Sequence, residues 1–107
     1  MTDREMLEFA AKAAGYVRME YRVNVPYVSS HMTGDDFIAW NPRASDGDAL
    51  RLAVRLGISI SQERRNGCVF CDAEPKIAAD EEYGSDPYAA TRLAITRAAA
   101  EIGNAMS

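Results

Sequence analysis

The chain has 107 residues, the usual size of one domain, with 48% of them hydrophobic, 26% charged and a net charge of −4. That balance is too apolar and too weakly charged for a disordered chain, and no apolar run approaches the ~20 residues of a membrane-spanning helix. Acids outnumber bases 16 to 12 and the bases are scattered, which speaks against a nucleic-acid binder. The start, Met1-Thr2-Asp3-Arg4-Glu5, lacks the positive start and apolar centre of a signal peptide, so the expected location is the cytoplasm.

Thr2 and Glu5 have capping-box spacing, and Met6, Phe9, Ala10, Ala13 and Ala14 then recur at helical intervals. This predicts a helix over about 3–14, closed by Gly15. Val17, Met19, Tyr21, Val23 and Val25 alternate with Arg18, Glu20, Arg22 and Asn24, which predicts one nine-residue strand with a buried and a wet face. Pro26 ends that strand or places it on an edge. Thr33-Gly34-Asp35-Asp36 is turn chemistry, and Phe37–Trp40 is a short second strand stopped by Asn41-Pro42, pairing back as an antiparallel hairpin.

Ser45 as N-cap, with Asp48 at the third helical position, opens a second helix. Its apolar stripe is Ala49, Leu52, Ala53 and Leu56, and Gly57 closes it. Arg51 and Arg55 fall four apart on a wet face. Ile58 and Ile60 begin a third strand, Asn66-Gly67 is a strong hairpin signal, and Cys68–Ala73 forms a fourth. The stretch 72–86 is acidic and reads as solvated, with residues 74–86 as the connection after that strand. Asp86 as cap and Pro87 at the first position start the last helix, with a stripe of Leu93, Ala94, Ala98, Ile102 and Ala105 and an Arg97–Glu101 pair.

The expected fold is therefore one α+β domain over 1–107, ordered α-β-β-α-β-β-α. It has a mostly antiparallel four-stranded sheet packed with three helices, arranged either on one face or as a three-layer α/β/α sandwich.

Trp40-Asn41-Pro42, the segment Gly47-Asp48-Ala49-Leu50-Arg51-Leu52-Ala53 and the segment Asp86-Pro87-Tyr88-Ala89-Ala90-Thr91-Arg92 resemble recurring pieces of the phage ABA sandwich domain family. The N-terminal helix is also similar. The resemblance spans about half to two-thirds of the chain, judged by motif segments. It implies a small phage or prophage protein acting in the host bacterial cytoplasm, with a sheet between helical layers. It implies no activity and no catalytic residue set. The alternating strand at 17–25 and the Cys68/Cys71 pair lie outside the matching segments.

Four residues stand out as a binding site: Trp40, Asn41, Asp46 and Asp48. A tryptophan at a strand end can anchor a core or line a concave site, and Asn41 is held extended by Pro42. Asp46 and Asp48 already supply negative charge to the helix start, which argues against phosphate there. Cys68-Val69-Phe70-Cys71 is a Cys-x-x-Cys in a strand, where residues three apart point to opposite faces. Redox chemistry wants it at a helix start, and zinc would need two ligands beyond it, of which only His31 is conventional. Asp35, Asp36, Asp46 and Asp48 lack the alternating pattern of a calcium loop.

No catalytic residue, metal or cofactor is assigned. The leading expectation is a non-enzymatic interaction module that binds a protein or a small ligand, with self-association as a homodimer. The alternatives are a small thiol- or metal-dependent enzyme using Cys68 or Cys71 with His31, and a nucleic-acid-binding accessory factor using Arg18, Arg22, Arg51 and Arg55.

Overall fold

The computed structural model describes residues 1–74 and 76–106. Helix α1 spans Asp3–Ala13. The Thr2 side chain accepts the Glu5 N–H and the Glu5 carboxylate accepts the Thr2 N–H, so the capping box forms as the spacing predicts. At the other end Gly15 takes φ +93°, and two bonds, Gly15 N–H to Lys12 O and Tyr16 N–H to Ala11 O, complete a Schellman stop.

The expected nine-residue strand is instead a hairpin. Strand β1 is Arg18–Arg22 and β2 is Val25–Ser29, paired antiparallel with Arg22 opposite Val25. The chain reverses at Val23 and Asn24, with φ of 52° and 65°. Both positive values are what a two-residue type I′ turn requires. Valine is a poor residue for that geometry, and unbroken alternation concealed the reversal. Pro26 is tolerated because it faces Tyr21 in a pair that exchanges no hydrogen bonds across β1–β2. Strand β3, Ile38–Ala39, joins the other side of β2 and makes the first three-stranded sheet.

Helix α2, Asp46–Leu56, starts at Ser45, whose hydroxyl accepts the Asp48 N–H, and stops at Gly57 in the left-handed region. It buries Ala49, Leu52 and Ala53. Strand β4, Ser59–Glu63, pairs with β5, Cys68–Ala73. Asn66-Gly67 lies in the hairpin between them, but as the end of a four-residue loop in which only Gly67 has positive φ. The acidic stretch expected as a connection contains a further strand, β6, Ile77–Glu82, paired with β5. Its residues alternate between half-buried and exposed, so alternate acids stay wet within a regular ladder.

The four-stranded sheet is thus two separate three-stranded antiparallel sheets, β1-β2-β3 and β4-β5-β6. The α+β class holds. The strand count failed because one hairpin was read as a single strand and one strand as a loop.

Helix α3, Pro87–Ala105, begins at Asp86, whose carboxylate accepts the Tyr88 and Ala89 N–H groups. It packs against α1, α2, β5 and β6. A helix contacted on so many sides must be apolar and slim nearly all round, and Ala90, Ala94, Ile95, Ala98, Ala99, Ala100 and Gly103 are buried. Arg97 does not pair with Glu101 as expected; it reaches Glu81 on β6 at 2.6 Å. The core joins α3 to Leu7, Ala10 and Ala11 of α1, to Leu52 and Ala53 of α2, and to Val69 and Cys71 of β5, with Val28 and Trp40 entering from the first sheet.

Candidate functional site

The Asn41-Pro42 corner turns the chain from β3 into α2, and two bonds hold it. The Asn41 side-chain oxygen accepts the Arg43 N–H at 3.1 Å, and Asp48 Oδ2 accepts the Asn41 N–H at 2.9 Å. Asp48 Oδ1 accepts from Arg51 at 2.7 Å. Asp46 faces the other way: Arg92 of α3 pairs with it at 2.7 Å and donates to Arg43 O at 2.8 Å. Arg43 in turn pairs with Asp3 at the start of α1 at 2.9 Å. Asn41 and Asp46 therefore lock α2 onto the rest of the fold.

Trp40 and Asp48 line an open groove of about 570 Å³ between β3 and α2. Trp40 is buried to 5% exposure and meets Tyr16 edge to face, centroids 5.6 Å apart and planes at 61°. One wall is Ile38 and the other is Leu50 and Val54 on α2. These three are 54%, 59% and 74% exposed, an unusual concentration of large apolar side chains in water. Arg51 and Arg55 stand on the rim. Arg51 is committed to Asp48. Arg55 makes no ion pair and no side-chain hydrogen bond among the described residues.

Leu50, Val54, Ile38 and Tyr16 were not singled out from sequence. A signal for two of them existed. Leu50 and Val54 are an i, i+4 apolar pair lying off the stripe that α2 buries. Ile38 and Tyr16 gave none, because only the tertiary fold brings the end of α1 and β3 beside α2. A second hollow of about 480 Å³, near Met1, Met6, Asp80, Arg97 and Glu101, has mostly polar walls, and its arginine already holds Glu81.

Cys68 and Cys71 are both free and sit on β5 as predicted, on opposite faces. Cys71 is fully buried against the core, and burial, with a smaller push from Asp72, drives its thiol up to about 11. A thiol held protonated is a poor nucleophile. His31 belongs to the loop after β2 in the other sheet, where its Nε2 lies 3.1 Å from Asp36. Among the described residues no three His, Cys, Asp or Glu side chains converge to hold a metal ion.

The four arginines weighed for nucleic acid are also dispersed. Arg18 donates to His31 O at 2.6 Å and Gly34 O at 2.9 Å, and lies over the Phe37 ring. Arg22 pairs with Glu20 and Asp35 and lies over Tyr27 and Phe37. These two clamp the 30–37 loop onto the hairpin, whereas Arg51 and Arg55 belong to α2. Among the described residues no helix is long and apolar enough to cross a membrane.

Comparison with known proteins finds no matching family model, no matching curated protein and no matching solved structure.

Proposed function

We propose that this chain is a non-enzymatic interaction module and that the groove between β3 and α2 is its docking site for a partner protein. The observation that carries the reading is the groove's apolar wall. Ile38, Leu50 and Val54 stay exposed beside the Tyr16–Trp40 floor, although burying such side chains is worth ~1.5–3 kcal/mol each. A floor of two packed aromatics, an apolar wall and a charged rim is the make-up of a protein-binding hot spot. The resemblance to the phage ABA sandwich family supports placing it as a phage- or prophage-encoded accessory protein of the bacterial cytoplasm.

Trp40 is the only tryptophan, so its fluorescence reports on the groove. The test replaces Leu50 and Val54 by aspartate, both on the exposed side of α2, and compares capture of proteins from bacterial extract. A partner held by the wild type and by Phe70→Ser on the second sheet, but lost from the double variant, supports the groove. Such a partner should also shift Trp40 emission on titration. Identical capture by all three proteins sinks the reading.

A further inference from the structure

Strand β4 is the outer strand of its sheet, and all five of its residues are exposed. The hydrogen-bond pattern shows which backbone groups it leaves open. Tyr83 N–H donates to Gly67 O at 2.8 Å, so Gly67–Tyr83 is a bonded pair of the β5–β6 ladder. Bonded pairs alternate along a strand. Val69, Cys71 and Ala73 therefore bond to β6, and Cys68, Phe70 and Asp72 bond to Glu63, Ser61 and Ser59 of β4. The N–H and C=O of Ile60 and Gln62 then point out of the sheet, and among the described residues they have no partner. Folded proteins normally blunt such an edge with charged side chains, lysine above all, with proline or with a bulge. Ser59-Ile60-Ser61-Gln62-Glu63 has no lysine, proline or bulge, and its one charge, Glu63, lies at its end.

We propose that this edge pairs with β4 of a second copy, antiparallel about a two-fold axis at Ser61, to make a continuous six-stranded sheet. Only one symmetric register matches open groups with open groups: Ile60 with the partner's Gln62, and Gln62 with the partner's Ile60. Centring on Ile60 would call on Ile58, whose N–H is already given to Ala53 O, and centring on Gln62 would call on Arg64, whose carbonyl already accepts from Gly67. The Ser61 register also suits the charges. Glu63 falls opposite the partner's Ser59, so no like charges face each other. Arg64 falls opposite the partner's Ile58, just beyond Gly57, where α2 ends and its carbonyls favour a cation. Neither Arg64 nor Arg65 has an ion pair among the described residues. The β4 edge is distinct from the groove, so this proposal stands or falls separately from the docking function.

In this register the two Ser61 residues form a non-bonded pair with Cα atoms about 4.5 Å apart, within disulfide reach. Sedimentation of the wild type should give twice the chain mass, and Ser61→Lys, which sets two lysines face to face, should return it to the single mass with an unchanged circular dichroism spectrum. In a Cys68→Ser background, Ser61→Cys should oxidise to a covalent dimer, while Ser30→Cys, an exposed control just after β2 in the other sheet, should not. A wild type that stays monomeric as its concentration is raised overturns the proposal. So does a dimer that survives Ser61→Lys while Ser61→Cys yields no covalent product.

Discussion

Gly103 of α3 lies directly against the backbone of Phe9 in α1: a methyl group placed on it would stand 2.7 Å from the Phe9 carbonyl carbon and closer still to the oxygen. No side chain can move aside there, because the obstacle is main chain. Gly103→Ala must therefore push the two helices apart, and overpacking costs about 1–3 kcal/mol, with a main-chain obstacle at the upper end. Gly47→Ala is the contrast. Its new methyl meets only the exposed guanidinium of Arg51 at 3.2 Å, the far end of a long side chain that can give a few tenths of an ångström without leaving Asp48, and alanine favours the helix by up to ~1 kcal/mol. Urea unfolding of both variants should show opposite signs. A Gly103→Ala protein as stable as the wild type would mean that the α1–α3 crossing is looser than this.

The tip of the first hairpin holds a removable strain. Val23 sits at φ 52° and is 96% exposed, so it incurs the left-handed penalty with no packing in return. Val23→Asn or Val23→Gly should raise stability by about 1 kcal/mol. A fall in the urea midpoint would show that the side chain makes a contact that matters.

Asp48 makes three contacts at once. It accepts the Asn41 N–H, pairs with Arg51, and offers its own N–H to Ser45. Asp48→Ala leaves the half-buried Asn41 N–H without an acceptor and should cost ~1–3 kcal/mol. Ser45→Ala should cost about 1 kcal/mol through the cap alone. Equal losses from the two would argue that the Asn41 bond contributes little.

Stability should fall in alkali. Burial raises the Cys71 thiol from 9.0 to about 11, so between these values the unfolded chain gives up a proton that the folded chain keeps. Fewer protons bound when unfolded means that stability decreases as pH rises through this window. Tyr21, also raised chiefly by burial, adds in the same direction. The urea midpoint should drop from pH 8.5 to pH 10.5, and drop less in Cys71→Val. Thiol labelling of the native protein at pH 8 should modify Cys68 alone; fast modification of Cys71 would contradict its burial.

All three helices were readable from local chemistry, because a helix carries its start, its stop and its buried stripe within one short segment. Thr2/Glu5 with Gly15, Ser45 with Gly57, and Asp86-Pro87 each formed the predicted boundary. Strands were less readable. A period-two pattern survives a two-residue turn unchanged, so Val17–Val25 looked like one strand while the chain folded back at a residue that disfavours the turn. Strand β6 was hidden because alternate acids on an open face look like a loop until β5 lies beside them.

The sequence alone determined the class of fold, the caps, the divergence of Cys68 and Cys71, and the place of Trp40 at a strand end. Only the tertiary structure decided that the strands divide into two sheets, that Arg18 and Arg22 are occupied by carboxylates, loop carbonyls and aromatic rings, and that Tyr16, Ile38, Leu50 and Val54 meet around Trp40. The reason is range. Capping and periodicity act within one turn or one pleat, whereas a groove or an open edge is set by residues far apart in the chain, whose meeting no local preference encodes.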